Sequence, residues 1–233
     1  MTGHQHHGAP SAPPARLDGP PPGVVVPPSV SSWRLLATLF IAGALAGILV
    51  VAVYKVTLPS IKKYAGAKLE GAVREVLRAP ARWDTLYLVG DKLSRSAPAG
   101  VDIGDVTKAY VGFDASGNRS GVAVQAAEPG FQEELTLMIG FDPSNGAITG
   151  YTVLDEKETP GLGDKIERDT AFVGQFRGKV TPLKGNKAAS TDPNLVQTIT
   201  GATISSRAVI RIINNAVAAW RPRMQAFDQG GEK

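Results

Sequence analysis

Residues Thr203 to Trp220 read TISSRAVIRIINNAVAAW, and the placing of their apolar side chains decides how the rest of the chain must be arranged. Ala208, Val209, Ile212, Ile213, Ala216, Val217 and Trp220 recur at i, i+1, i+4, i+5, which puts them on one face of a helix. Such a face needs a surface to cover, and the segments upstream provide one. Strand-like runs occupy Thr85 to Val89, Val106 to Phe113, Gly121 to Gln125, Leu135 to Phe141 and Ala147 to Val153. Turn signals at Asp114 to Asn118 and Asp142 to Gly146 join them as antiparallel hairpins. Arg168 to Phe176 reads as a short helix, and the last helix is expected to end before Pro222. The pattern predicts an α+β domain over residues 81–222, an antiparallel sheet packed by helices, with a flexible C-terminus at 223–233.

Ahead of this domain, Leu35 to Tyr54 reads LLATLFIAGALAGILVVAVY and carries no charge. At about 1.5 Å per residue it crosses a hydrocarbon core of about 30 Å. Trp33 and Tyr54 stand at the two interfaces, and Arg34 and Lys55 mark the ends, so a transmembrane helix is expected over 34–55. A long proline-rich stretch precedes it, which argues for a retained anchor over a cleaved signal peptide. Gly43 and Gly47 form a G-x-x-x-G pair, open either to a close helix neighbour or to the ordinary abundance of small residues in such spans. Pro10, Pro13, Pro14, Pro20, Pro21, Pro22, Pro27 and Pro28 make residues 1–33 a disordered tail by composition. Ile61 to Leu77 has helical periodicity, and a linker helix is expected over 56–80.

Composition removes several kinds of chemistry. The chain has no cysteine, which excludes disulfides, thiolate nucleophiles and cysteine-held metal clusters. Its three histidines, His4, His6 and His7, all lie in the tail, so the folded domain has no Ser-His-Asp triad, and no metal site is expected. The net charge of +4 comes from scattered basic residues without an aromatic-interleaved stripe, so nucleic acid is not an expected partner. Lys55, Lys62, Lys63 and Lys68 are placed to meet lipid headgroups.

Two loops carry the chemistry that remains. Thr200-Gly201-Ala202-Thr203-Ile204-Ser205-Ser206 stands at the start of the last helix. It reads either as an ordinary cap or as a phosphate site built from free N–H groups, with small side chains letting the backbone approach. Glu156 to Ile166 (EKETPGLGDKI) reads either as an exposed turn or as a loop that offers Leu162, between two glycines, to an apolar ligand.

TPGLG at Thr159 to Gly163 followed by TGAT at Thr200 to Thr203, behind a single N-terminal span, resembles the G subunit of the Rnf electron-transport complex. The C subunit of the sodium-translocating NADH:quinone reductase is a close relative of that family. In the family a flavin transferase joins FMN through its phosphate to the last threonine of an S/T-G-A-T motif, so the resemblance implies a covalent phosphoester on Thr203. It also implies that Glu158, Thr159, Gly161, Leu162 and Gly163 wall the flavin. Thr200, Gly201, Ala202, Ser205 and Ser206 then shape the phosphate end, and Lys165 offsets negative charge. No residue is assigned a catalytic role.

The resemblance further implies a relay subunit passing electrons between reduced ferredoxin and NAD, among other membrane and redox subunits that move sodium or protons. Maturation would need the flavin transferase. The family's place is the bacterial inner membrane with the domain in the periplasm, although the lysines after the span would by the positive-inside count put it in the cytoplasm. The family's motif carries an acidic residue three positions before its S/T, where this chain has Gln197. A C-type subunit of the NADH:quinone reductase, a regulatory flavoprotein and a non-redox membrane-anchored scaffold or sensor remain alternative readings of the same residues.

Overall fold

The structure, a computed structural model, describes residues 31–230 apart from 103 and 105. Most of the expected 1–33 tail, with His4, His6 and His7, lies outside the described residues, as do 231–233. The chain divides into two units, Met1–Thr57 and Leu58–Lys233.

Helix α1 runs from Ser32 to Val76 with Pro59 inside it. Most of the segments expected as membrane helix and linker helix fall within it. A proline in a helix removes one backbone hydrogen bond, yet the helix runs on past it to Val76. In the first unit the helix is long and apolar enough to cross a membrane, and its large side chains, Leu39 and Phe40 among them, are exposed.

The second unit is built on a six-stranded antiparallel sheet. Its strands are β1 (Arg82–Val89), β2 (Lys92–Ser94), β3 (Lys108–Phe113), β4 (Arg119–Pro129), β5 (Glu134–Phe141) and β6 (Ile148–Asp155), in spatial order β2-β1-β3-β4-β5-β6. The five expected strands all form, most of them longer than their apolar runs. Two of the turns are closed by aspartate. The Asp114 carboxylate accepts from the Ser116 and Asn118 N–H groups at 2.8 Å each, and these bonds hold it below the usual carboxylate range. The Asp142 carboxylate accepts from the Ser144 N–H and hydroxyl.

After the sheet come two short helices, α2 (Lys165–Arg168) and α3 (Thr170–Gly174), in place of the single expected helix at 168–176. Asp169 divides them. Its backbone is extended and its side chain caps α3 by accepting from the Ala171 and Phe172 N–H groups. A two-stranded parallel pair, β7 (Lys184–Asn186) and β8 (Leu195–Gln197), leads into the final helix α4 (Thr203–Gly230).

Alternation along the strands gives the sheet two apolar faces. Val122, Val124, Leu137, Ile139, Tyr151 and Val153 point to α4, whose Val209, Ile212, Ile213, Val217 and Trp220 meet them. On the other face, Tyr110, Ala123 and Met138 meet Ala72, Val73, Val76 and Leu77. The last turns of α1 are thus core, where a linker was expected. Glycines allow this close approach: a Cβ on Gly140 would lie 2.5 Å from the Val76 carbonyl oxygen, to which Thr149 Oγ1 also donates at 2.6 Å. Lys68, expected at the lipid surface, donates to the Leu154 carbonyl.

Helix α4 also outruns its expected end and takes Pro222 into its interior. Tertiary contacts explain it. Met224 is fully buried, Arg221 donates to the Pro143 and Ser144 carbonyls, and Asp228 holds Arg119 through both oxygens. Residues 223–230, expected to be flexible, are helical for this reason.

Candidate functional site

The N-terminal end of α4 is assembled by local hydrogen bonds. The Ala202 N–H donates to the Ile199 carbonyl, and the Ala202 carbonyl accepts the first helical bond from Ser206 N. Ser206 Oγ, fully buried, donates to the same carbonyl at 2.8 Å and accepts from Ile199 N at 3.1 Å. Ser206 is thereby committed to the turn itself. Gly201 sits at φ +85°, a left-handed conformation that glycine adopts without strain. The N–H groups of Thr203, Ile204 and Ser205 have no protein acceptor among the described residues. They are orphan donors at the positive end of a long helix, the place where an anion binds best.

The TPGLG loop packs directly against this turn. A Cβ on Gly201 would stand 3.2 Å from Leu162 Cδ2. The loop is itself a tight coil in which the Thr159 carbonyl accepts from the Leu162 and Gly163 N–H groups at 3.1 and 2.9 Å. Gln132 Nε2 donates to Thr159 Oγ1 at 2.8 Å, tying the loop to the β4–β5 connection. Beneath it, Tyr151 donates its hydroxyl to the Ile166 carbonyl at 2.6 Å and stacks edge-on to Phe176. Burial, and then the charge of Asp169, push the Tyr151 phenol well above its ordinary range, so it stays a neutral donor at physiological pH.

Between these walls lies a cleft of about 430 Å³, within the range of small-molecule sites. Of the residues singled out in the sequence, Glu158, Thr159, Leu162, Gly163, Gly201, Ala202, Thr203 and Ser205 line it. Gly161, Thr200 and Lys165 are exposed and, with Ser206, stand outside the lining. Phe131 and Ile204 complete the wall and were not anticipated. Each carried a faint signal, an aromatic residue within the charged β4–β5 turn and an isoleucine off the buried stripe of α4. With Leu162 they place three large, substantially exposed apolar side chains around the opening.

A ligand with a phosphate at one end and an apolar ring at the other fits these residues. The three free N–H groups and the small Gly201 and Ala202 suit the phosphate, and Phe131, Leu162 and Ile204 suit the ring. Gln197, three positions before Thr200, is exposed, and its backbone is held on both sides by the Gln175 side chain, which accepts from its N–H at 2.7 Å and donates to its carbonyl at 3.3 Å.

The FMN-binding domain family matches residues 130–218, the part of the chain that holds both loops and lines the cleft. The G subunit of the ion-translocating oxidoreductase complex of Methanosarcina acetivorans is 30% identical over 79% of this chain and 92% of its own length. The corresponding protein of Aliivibrio fischeri is 40% identical over 44% of this chain, a match that spans half of that relative's length. The chain belongs to this family of G subunits. The crystal structure of Shewanella oneidensis NqrC shares the fold, at a TM-score of 0.51 and 19% identity, covering 66% of this chain and 88% of that one.

Proposed function

We propose that the chain bears FMN as a phosphoester on Thr203 and relays electrons through it within an Rnf-type complex. It is a membrane-anchored flavin electron-transfer subunit of an ion-translocating oxidoreductase complex, with the other subunits of that complex as partners. The covalent bond, the flavin transferase that makes it, the lipid contacts of Lys55, Lys62 and Lys63, and a periplasmic domain are the finer parts of the proposal.

One observation carries the attachment to Thr203. Thr203 stands in the first turn of α4 among the residues that line the cleft, and its N–H and those of Ile204 and Ser205 have no protein acceptor among the described residues. The alternatives are placed worse. Thr200 lies outside the lining, Ser206 is consumed by the turn, and Ser205, 3% exposed, donates to Glu158. FMN supplies reversible electron uptake, which suits a domain without histidine or cysteine. The protein's own part would be to hold a phosphate on the Thr203–Ser205 amides, to offer Leu162 and Phe131 to the ring, and to anchor the site on a helix packed into the core.

Thr203→Val keeps the β-branched shape and removes the hydroxyl, so it should fold as the wild type does. When it is co-expressed with the transferase, the fluorescent flavin band on a denaturing gel should disappear, and a band of wild-type intensity would overturn the assignment. Protease added to intact spheroplasts should digest the domain, whereas full protection would place it in the cytoplasm.

A further inference from the structure

Glu158 is a carboxylate, 6% exposed, in the wall of the cleft. Oε1 accepts from the Phe131 N–H at 2.7 Å, and Oε2 accepts from Ser205 Oγ at 2.8 Å. It thereby joins three segments: its own loop, the β4–β5 connection that presents Phe131, and the first turn of α4. Space has been cleared for it. A Cβ on Gly130 would fall 2.4 Å from Oε1, and one on Gly163 would fall 2.7 Å from the Glu158 Cβ and 2.8 Å from Oε2.

Geometry alone does not explain why this residue is an acid. A glutamine could accept from the Phe131 amide and donate to the Ser205 oxygen with the same shape. A buried carboxylate without a cation is costly to desolvate. None of the six ion pairs among the described residues includes Glu158, and the neighbouring Lys157 is taken by Glu133. Both partners of Glu158 present a donor to it, one to each carboxyl oxygen. The cleft wall therefore carries a carboxylate held by two donors and by no ion pair among the described residues.

We propose that Glu158 positions the cleft through Ser205 and Phe131 and, by its uncompensated charge, lowers the reduction potential of the flavin held there. The inference rests on the flavin reading above. A ring that gains electrons beside a fixed negative charge is destabilised in its reduced form, and low surrounding polarity strengthens that effect. The electron donor must therefore be correspondingly strong.

The test uses the full-length protein, co-expressed with the transferase, in spectroelectrochemical titration at constant pH. Glu158→Gln keeps the shape and both contacts, so the melting temperature should stay near wild type while the midpoint of the flavin it carries moves to a less negative value. Glu158→Asp keeps the charge but is too short to reach both partners. Its flavin yield should fall, and what flavin it carries should keep a midpoint near wild type. An unchanged or more negative midpoint in the Gln variant would overturn the proposal, as would equal midpoints in the Gln and Asp variants. Peptide mass spectrometry on the same preparations separates this from the reading beneath it. Flavin found on a residue other than Thr203 defeats the attachment whatever the midpoints do, and flavin on Thr203 with an unmoved midpoint in the Gln variant defeats the role of Glu158 alone.

Discussion

The two ends of α4 are treated in opposite ways by the residues around them. At the C-terminal end the strong groups are satisfied. Arg221 takes two carbonyls, Arg223 takes Asp91, Asp228 takes Arg119, and Met224 is buried. At the N-terminal end three amides and the Thr203 hydroxyl have no protein partner among the described residues, next to a cleft rimmed by exposed apolar side chains. One helix thus serves as core along its length, as a clasp at one end and as a binding edge at the other. Stability and ligand capture are separated along a single element, and changes at the two ends should affect different measurements.

The largest effect expected on stability comes from the core side. Trp220→Ala removes a side chain that is 5% exposed and should cost about 3–5 kcal/mol, visible as a large fall in the melting temperature. Flavin on the molecules that remain folded should still sit on Thr203. At the open end, Gly163→Ala drives a methyl group into Glu158 and toward Ser205 Oγ, 3.2 Å away. Overpacking of this kind costs about 1–3 kcal/mol, and here the flavin yield should fall with it, which a gel of the purified protein measures. The smallest effect belongs to the clasp. Arg223→Ala loses a pair whose aspartate is 84% exposed, and the cost should stay within about 1 kcal/mol in chemical denaturation, with flavin content unchanged. A clasp mutation that stripped the flavin, or a cleft mutation that affected melting alone, would erase the distinction between the two ends.

Much of this contrast was legible in the sequence, but unevenly. The buried stripe of α4 and the five principal strands follow from local periodicity, and each apolar residue named for the stripe is buried. The two loops were visible as motifs, although their meeting, with Leu162 against Gly201, depends on how the sheet carries one to the other. Elements stabilised from a distance were not legible. Pro222 reads as a helix stop, yet the helix continues, and the reason lies in arginine contacts to residues far away in sequence. Strands β2, β7 and β8 are three residues each, too short for an alternation to be read. Phe131 and Ile204 belong to the cleft only because the fold brings the β4–β5 turn and the first turn of α4 to the same opening.

Whether the open end of α4 carries flavin on one hydroxyl is tested most directly by peptide mass spectrometry of the wild-type protein, co-expressed with the flavin transferase and digested. The expected result is a fragment spanning Thr203 that is heavier by one FMN phosphoester, with fragmentation placing the added mass on Thr203. An adduct on Ser205 or Thr200, or flavin that is released entirely on denaturation, would contradict the assignment.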